Sequence, residues 1–320
     1  MFKYVLKRVA LMIMTLFIII SMCFIFVKLL PNEVPKVFGK DMEIIMARRE
    51  ALGYNKPLLE QYLIFIQKTL LGGDWGVSET MYPAREVWPI FVSKFPPTIA
   101  LNVFTMIVSI PIGLIFGIYA ALKKNKWQDH VISTGVMVFV SVPSYVYAFL
   151  VQYILCFKLK WFPFTMAPGE TMADMFTFEV IFSLIPAVLA SSFGTIAGLA
   201  RYTRAELTEV LTSDYLLLAR TKGLTKSQTT VRHALRNAMV PIFPSILGQF
   251  IGILSGSLII ENIFVIPGVG SLYIDSINRL DYNFFMLLTV FYTAIGLVAG
   301  IVVDLSYGFI DPRIRMGSKK

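Results

Sequence analysis

Charged residues are scarce in this chain, and so are the residues that most often build metal centres. Asp, Glu, Lys and Arg make up 15% of its 320 residues, against about 25% in globular domains. There are two cysteines, Cys23 and Cys156, each inside a long apolar stretch, and two histidines. This inventory excludes a disulfide framework and does not support a cysteine–histidine metal site.

Several motifs of catalysis are missing as well. The chain has no GxxxxGK[ST] phosphate loop, no HExxH and no GxSxG sequence, so nothing indicates nucleotide hydrolysis, zinc peptidase chemistry or a serine hydrolase. A membrane-embedded enzyme would need a nucleophile with its base, or a metal set, within the apolar stretches. Asp304, the main ionisable residue there, has no histidine near it in the sequence. We therefore expect a protein without catalysis of its own.

Apolar sequence is what this chain has in abundance. Hydrophobic residues make up 56% of the total, and the mean hydropathy is +0.70. About 20 residues of helix span the core of a bilayer, where every backbone polar group needs an internal partner. The pattern predicts an all-α membrane protein with six transmembrane helices, and Pro143 and Pro186 predict static kinks in two of them. The predicted helices cover residues 9–30, 98–122, 131–157, 180–200, 242–265 and 285–310.

The distribution of basic residues predicts how these helices are oriented. If the N-terminus is cytoplasmic, the inner segments contain 17 of the 29 Lys and Arg residues, as the positive-inside rule requires. We therefore expect both termini in the cytoplasm. This topology also explains the formal net charge of +9, so a nucleic acid partner is not needed.

The predicted helices divide the chain into three parts. Residues 1–30 form an N-terminal transmembrane helix, residues 31–97 an extracellular segment, and residues 98–320 a core of five transmembrane helices with a cytoplasmic loop at 201–241. Within the extracellular segment, the pattern of residues 56–71 predicts an amphipathic helix at the outer surface. The sequence ENIFVIPGVG, which begins at Glu261, predicts a re-entrant turn.

A polar insert at residues 214–241 interrupts the apolar pattern. Seven Lys and Arg residues lie between positions 201 and 236, so this segment has to be in water, yet its signals are those of folded helices. One helix is expected to end at Gly223. Thr225 and Gln228 then have the spacing of a capping box, which opens a second helix that runs through Val231 and Leu235 to Pro241. Two ordered helices on the wet side of a membrane protein predict a docking surface.

The insert contains ARTKGL at 219–224 and HALRN at 233–237, followed by Pro241. These sequences resemble the cytoplasmic "EAA" loop of ATP-binding-cassette importer permeases, in the form of the oligopeptide, dipeptide and nickel subfamily. FKYVLKRV, LLGGDWGVS, ENIFVIPGVG and VDLSYGFIDPRIR fit the same subfamily in the right order. The resemblance covers almost the whole chain and is closest to the first membrane subunit of oligopeptide permeases. The Glu-Ala-Ala of the loop falls on residues 217–219, where only Ala219 agrees.

This resemblance implies a fold like that of a type I importer permease, in the inner membrane of a bacterium. It implies half of a pore, completed by a second homologous permease, and no cofactor bound by this chain. Two ATPase subunits would use ATP and Mg²⁺ beneath the pair, and an extracellular binding protein or lipoprotein would deliver the substrate. The resemblance also implies that the insert couples the permease to an ATPase, through Leu217, Leu218, Ala219, Arg220, Lys222, Gly223, Leu224, His233, Arg236, Asn237 and Pro241.

An oligopeptide is the substrate that the resemblance favours. A dipeptide, nickel or another small solute is the alternative within the same family. Phe139, Tyr145, Tyr147 and Phe250 are candidates for the lining of a wide substrate path. A secondary transporter or channel is the alternative from another class, but it would need several intramembrane charges or an inverted repeat, and the sequence shows neither clearly.

Overall fold

The computed structural model describes residues 2–30 and 37–310, and in these residues the chain is a bundle of α-helices. Residues 31–36 of the predicted extracellular segment and the predicted cytoplasmic tail from 311 onward lie outside the described residues. The helices are α1 (Phe2–Leu29), α2 (Lys40–Ala51), α3 (Leu58–Ile64), α4 (Val87–Ser93), α5 (Phe95–Leu122), α6 (Trp127–Ser141), α7 (Ser144–Val151), α8 (Phe178–Leu211), α9 (Asp214–Thr221), α10 (Lys226–Thr229), α11 (Arg236–Ile251), α12 (Leu258–Ile263), α13 (Val269–Asn278) and α14 (Tyr282–Ile310).

Shorter helical turns extend four of these helices and precede a fifth. Wider π-helical turns follow α3, α7 and α10, and 3₁₀ turns follow α11 and precede α8. They cover Phe65–Leu71, Gln152–Lys158, Thr230–Leu235, Gly252–Ser255 and Asp174–Phe176.

Five helices in the described part of the chain are long and apolar enough to cross a membrane, and a bent pair makes a sixth. The five are Val5–Leu29, Val87–Leu122, Phe178–Leu211, Lys226–Leu254 and Tyr282–Ser306, and the pair is Trp127–Ser141 with Ser144–Lys158. The predicted all-α membrane fold is therefore confirmed. The second of these helices begins before residue 98, so the predicted boundary at that position falls inside it.

The two prolines singled out in the sequence behave differently. At Pro143 the helix breaks and does not merely kink. Helix α6 ends at Ser141, and the helix pair is bent by 100° at this break. Proline lacks an N–H group and disfavours the helical conformation of the residue before it, and Val142 is indeed extended, with ψ of 127°. Pro186, in contrast, is buried inside α8, which runs without a break for 34 residues.

The apolar block predicted at residues 242–265 is not one helix. The helical chain turns at Gly256, whose φ of 63° lies in the left-handed region that favours glycine. A Cβ atom at this position would also lie 2.6 Å from a carboxylate oxygen of Glu261. The segment α12 therefore belongs to the connection that leads to α14, and the turn predicted at ENIFVIPGVG starts earlier, at Gly256.

The centre of the bundle is the contact between α5 and α8. Gly113 and Gly117 allow the two backbones to approach closely, since a Cβ atom at Gly117 would lie 2.6 Å from the Cβ atom of Thr203. Small residues serve the same purpose at many helix contacts in membranes. The amphipathic run at 56–71 forms α3 and its π-helical turn, which pack on α1 through Tyr62 and Phe65.

Different helices begin and end at the two ends of the bundle. The end that carries α9, here called the α9 end, also holds the end of α5 and the start of α11. The opposite end holds the start of α5, the start of α8 and the α12 segment. Helix α14 begins at the opposite end, where Phe284 packs with Phe91 beside the start of α5, so α14 ends toward the α9 end. An ion pair between Arg8 and Asp304 (3.0 Å) places the start of α1 there as well.

A buried carboxylate fixes the LLGGDWGVS loop at the opposite end. Asp281 accepts a hydrogen bond from the hydroxyl of Ser78 (2.6 Å) and from the backbone N–H groups of residues 79–81 (3.1 Å each). Beside it, Arg49 forms a buried two-fold hydrogen-bonded ion pair with Glu79 (3.0 and 2.6 Å). Charges at this depth are stable only when each is paired or hydrogen-bonded.

We predict that Asp281→Ala lowers the free energy of unfolding by about 3 kcal/mol, because it leaves several buried donors without an acceptor. The measurement is the thermal midpoint of the detergent-purified protein. Glu86→Gln is the matched control, since Glu86 is exposed and lies 3.9 Å from Arg48, where an ion pair contributes little. Equal midpoints for the two variants would contradict the role assigned to Asp281.

Candidate functional site

Helix α9 is fixed to the bundle by one side. Leu216 is 1% exposed and packs among Leu207, Ala234 and Ile242, from α8 and the helix that contains α11. On the same helix, the hydroxyl of Tyr215 accepts a hydrogen bond from Asn237 (3.0 Å). These contacts hold α9 against both helices that enter the membrane on either side of it.

The other side of α9 is bare. Leu217 is 63% exposed and Leu218 is 56% exposed, and Arg220 and Lys222 are exposed beside them, whereas Ala219 is half-buried. Two neighbouring leucines in water, bordered by cations, are typical of a surface that a partner covers.

The end of α9 has the geometry that the sequence predicted. Gly223 has φ of 89°. Its N–H donates to the carbonyl of Arg220 (3.0 Å), and the N–H of Leu224 donates to the carbonyl of Ala219 (3.4 Å). This pair of bonds is a Schellman motif, which requires a left-handed residue after the helix. Within residues 2–30 and 37–310, no atom lies within 4 Å of the position of a Cβ at Gly223, so the requirement for glycine comes from the backbone conformation.

The second helix of the insert opens with the predicted capping box. The N–H of Thr225 donates to the side chain of Gln228 (3.0 Å), and the N–H of Gln228 donates to the hydroxyl of Thr225 (3.3 Å). The helix does not stop at Pro241, however. It continues through Pro241 into the membrane-spanning part. The carbonyl that Pro241 leaves without an N–H belongs to Asn237, which is exposed and can be hydrated.

The predicted coupling residues thus fall into two groups. Leu217, Leu218, Arg220, Lys222 and Gly223 share the bare surface of α9 and the turn after it. The remaining residues lie beside this surface: Ala219 and Leu224 are half-buried, His233, Arg236 and Asn237 are exposed on the following helix, and Pro241 is half-buried where Tyr202 donates to its carbonyl (3.4 Å).

An ion pair near α9 was missed in the sequence. Asp129, at the start of α6, is 1% exposed and binds the guanidinium of Arg204 in α8 through two hydrogen bonds, one of them 2.7 Å long. It also accepts from the backbone N–H of Asn125 (3.0 Å) and the hydroxyl of Ser133 (3.2 Å). One carboxylate therefore joins the loop after α5, the start of α6 and the last turns of α8. The sequence feature that could have indicated this ion pair is a single acidic residue, Asp129, shortly after the basic sequence KKNK.

The four aromatic residues predicted to line a substrate path do not form one surface of this chain. Phe139 stacks on Phe193 (4.9 Å between ring centroids), and Tyr147 meets the same ring edge-on (5.7 Å). This cluster joins α6 and α7 to α8. Tyr145 is exposed outside it, and Phe250 lies in a separate apolar groove between α5 and α11.

The ENIFVIPGVG sequence is organised around one buried acid at the opposite end. Glu261 is fully buried, and burial raises the pKa of its carboxyl, while hydrogen bonds to the carboxylate oppose that rise. Gly268 and Gly270 are needed here because the backbone runs against this carboxylate. The donors are the hydroxyl of Thr98 (2.9 Å) and the N–H groups of Gly270 (2.8 Å), Ser257 (3.3 Å) and Ser271 (3.3 Å).

Comparison with known proteins defines the class of this chain. Residues 113–316 match the family described as the inner membrane component of binding-protein-dependent transport systems, and residues 1–102 match the N-terminal part of such membrane components. The chain belongs to this family, and it is a multi-pass inner membrane permease of the type I ABC importer class. The family that the EAA-type loop indicated is therefore confirmed.

Three relatives illustrate the similarity. The dipeptide transport system permease protein DppB of Lactococcus lactis subsp. cremoris is 33% identical over 99% of this chain and 100% of its own length. DppB of Bacillus subtilis is 33% identical over 100% of both chains. The glutathione transport system permease protein GsiC of Salmonella choleraesuis is 33% identical over 98% of this chain and 99% of its own.

We predict that Arg204→Gln destabilises the α9 end by about 3 kcal/mol, because it leaves the carboxylate of Asp129 buried without its cation. The readout is the rate at which trypsin cleaves the insert in the membrane-embedded complex. Arg201→Gln, an exposed residue less than one turn away, is the matched control and is expected to change the rate little. Indistinguishable cleavage of the two variants would argue against a structural role for the pair.

Proposed function

We propose that this permease forms half of the pore of an ATP-driven importer of short peptides. A second homologous permease would complete the pore, two ATPase subunits would supply the energy, and an extracellular binding protein or lipoprotein would deliver the substrate. The names of the relatives, which concern dipeptide and glutathione transport, support peptides of two or three residues at least as well as longer ones. The bare surface of α9 is the observation that carries the proposal.

This surface has the chemistry of an ATPase contact. Leu217 and Leu218 are exposed in the polar insert, whose basic residues keep it out of the membrane. Burial of these two side chains against a partner subunit would release ordered water and is therefore favourable. Arg220 and Lys222 at the edge would meet acidic or polar groups and set the orientation of the partner. In this proposal the permease binds the ATPase through α9, and the ATPase binds ATP and Mg²⁺.

The way α9 is attached suits the transmission of movement. Leu216 and Tyr215 hold it to both neighbouring helices, and α8 ends only three residues before Asp214. A shift of α9 would pass directly to these two helices, as in rigid-body switches of packed elements. The Schellman turn at Gly223 fixes the angle between α9 and the helix that begins after Thr225.

We predict that the α9 end faces the cytoplasm. After Cys23 and Cys156 are replaced by alanine, Lys222→Cys in intact cells should not react with a membrane-impermeant thiol reagent, whereas Asp174→Cys, in the connection before α8, should react. Lys222 is exposed and Asp174 is partly exposed in this chain, so the reagent can reach both positions and reports sidedness. Labelling of Lys222→Cys from outside would overturn the orientation.

We predict that Gly223→Val abolishes peptide uptake while the permease still inserts in the membrane. A left-handed conformation costs a non-glycine residue about 1–2 kcal/mol, and more for a branched one, so the turn would change its path and α9 its direction. Uptake of radiolabelled dialanine by membranes with equal amounts of complex is the measurement. Gly39→Val is the matched control, since Gly39 has φ of 72° and equally open space around it, but lies at the start of α2.

Two further variants separate coupling from docking. Leu218→Asp places a charge in the apolar contact and should release the ATPase subunits in a pull-down, while Gly223→Val should retain part of them. Leu71→Asp, at an equally bare leucine on the π-helical turn after α3, should retain them fully. Normal uptake by Gly223→Val, together with complete retention of the ATPase by Leu218→Asp, would remove the coupling role of α9.

A further inference from the structure

An open groove runs along the bundle between α8 and α11. Its volume is about 390 Å³, and it is bordered by Thr195, Gly198 and Tyr202 from α8 and by Ser245 and Gln249 from α11. The α8 residues are separated by three or four positions and so share one face of the helix. From Gly194 to Tyr202 the groove extends about 12 Å along α8, from the α9 end toward the middle of the membrane-spanning part.

The chemistry of this groove does not suit contact with lipid. Four side chains on its walls carry hydroxyl or amide groups, although both helices are apolar enough to cross a membrane. Thr195 and Tyr202 donate to carbonyls within the chain, those of Ser191 and Pro241 (3.4 Å each), whereas hydrocarbon offers the amide of Gln249 no hydrogen-bond partner. By contrast, the neighbouring groove that contains Phe250 is lined by apolar side chains such as Val103, Ile107 and Ile253, which lipid tails can cover.

Two details show that the groove has room and unused hydrogen-bonding capacity. The carboxamide oxygen of Gln249 is shielded from solvent and has no hydrogen-bond partner among the described residues, which is uncommon for a shielded polar atom. At Gly198, no atom of the described part of the chain lies within 4 Å of the position that a Cβ would occupy. This glycine is therefore not required by contact with a neighbouring helix, in contrast to Gly117, where a Cβ would meet α8.

We propose that this groove is the part of the substrate path contributed by the permease, and that its hydroxyl and amide groups contact the backbone of a passing peptide. The proposal rests on the function proposed above. It assigns the path to the polar wall between α8 and α11, rather than to the aromatic residues Phe139, Tyr145 and Tyr147.

The side chains that line the groove carry no charge, and this indicates which part of a peptide they contact. Thr195, Ser245 and Gln249 offer donors and acceptors that match backbone N–H and carbonyl groups. A charged wall would favour peptides with the opposite charge and hold them too tightly for release. Neutral groups contact the part of the substrate that all peptides share, so they permit passage with little preference for side chains.

Thiol accessibility in the assembled complex tests whether the groove contains water. In the variant without Cys23 and Cys156, we expect Thr195→Cys and Ser245→Cys to react with a charged, membrane-impermeant thiosulfonate applied to both sides of vesicles, with or without ATP. Ile115→Cys, on an exposed apolar position of α5, is the matched control and should stay unreactive. If neither groove cysteine reacts under any of these conditions, lipid or the second permease covers the groove and the proposal is wrong.

Filling the groove tests whether the substrate uses it. Gly198→Leu adds a side chain in open space and should reduce dialanine uptake at least fivefold while complex assembly is unchanged. Gly296→Leu, on α14, also adds its side chain where no atom lies within 4 Å and should leave uptake unchanged. Gln249→Leu, which removes one hydrogen-bonding group, should reduce uptake by about fivefold. Equal uptake by the two leucine variants would overturn the proposal.

The two readouts also separate this inference from the proposed function. If the wild-type complex does not transport dialanine or any short peptide tested, the peptide assignment fails, yet the labelling still shows whether the groove is a water-filled path. If the complex transports peptides but the groove cysteines are inert, the function stands and the groove is not the path.

Discussion

A bilayer cannot hydrogen-bond, and this constraint determines where polar chemistry appears in the chain. Charges are concentrated at the two ends of the bundle, and the buried carboxylates there are either paired with a cation or hydrogen-bonded. Asp129 is bound by Arg204 at the α9 end, whereas Asp281 and Glu261 are surrounded by hydroxyl and backbone donors at the opposite end. Between the ends, a polar group has to face a partner or water. The groove between α8 and α11 is prominent against this background because its walls are polar.

The two ends of the bundle differ in the contacts that hold them together. At the opposite end, the loops are tied to helix starts by carboxylates that reach across more than a hundred residues of sequence, as between Thr98 and Glu261. At the α9 end, the interior is equally well fixed by Leu216, but two leucines and two cations remain uncovered. Exposed apolar side chains occur at the opposite end as well, such as Leu71, but at the α9 end they lie beside the cations Arg220 and Lys222. This combination is the one expected of the contact with the proposed ATPase.

Much of the fold was predictable because helix length and turn chemistry are local. Six apolar blocks, the left-handed turn at Gly223 and the capping box at Thr225 could all be read from neighbouring residues. What failed depended on the surroundings of a residue in the fold. The helix breaks at Gly256, beside the carboxylate of Glu261 that binds Thr98, and Pro241 continues a helix because the carbonyl that it leaves unpaired is exposed. The pairing of Asp129 with Arg204, and a groove built from two helices, require knowledge of which faces meet.

No loop separates the insert from the membrane-spanning helix that follows it, and this continuity affects how movement passes between them. From Lys226 to Leu254 the chain is helical for 29 residues, a rod of about 43 Å. Such a rod acts as a lever: a tilt of about 5° at one end displaces the other by roughly 4 Å. The far end of this lever lies next to Gly256, where a Cβ atom would come within 2.6 Å of the carboxylate of Glu261. A small rotation at the α9 end would therefore reach this turn along one continuous run of helix.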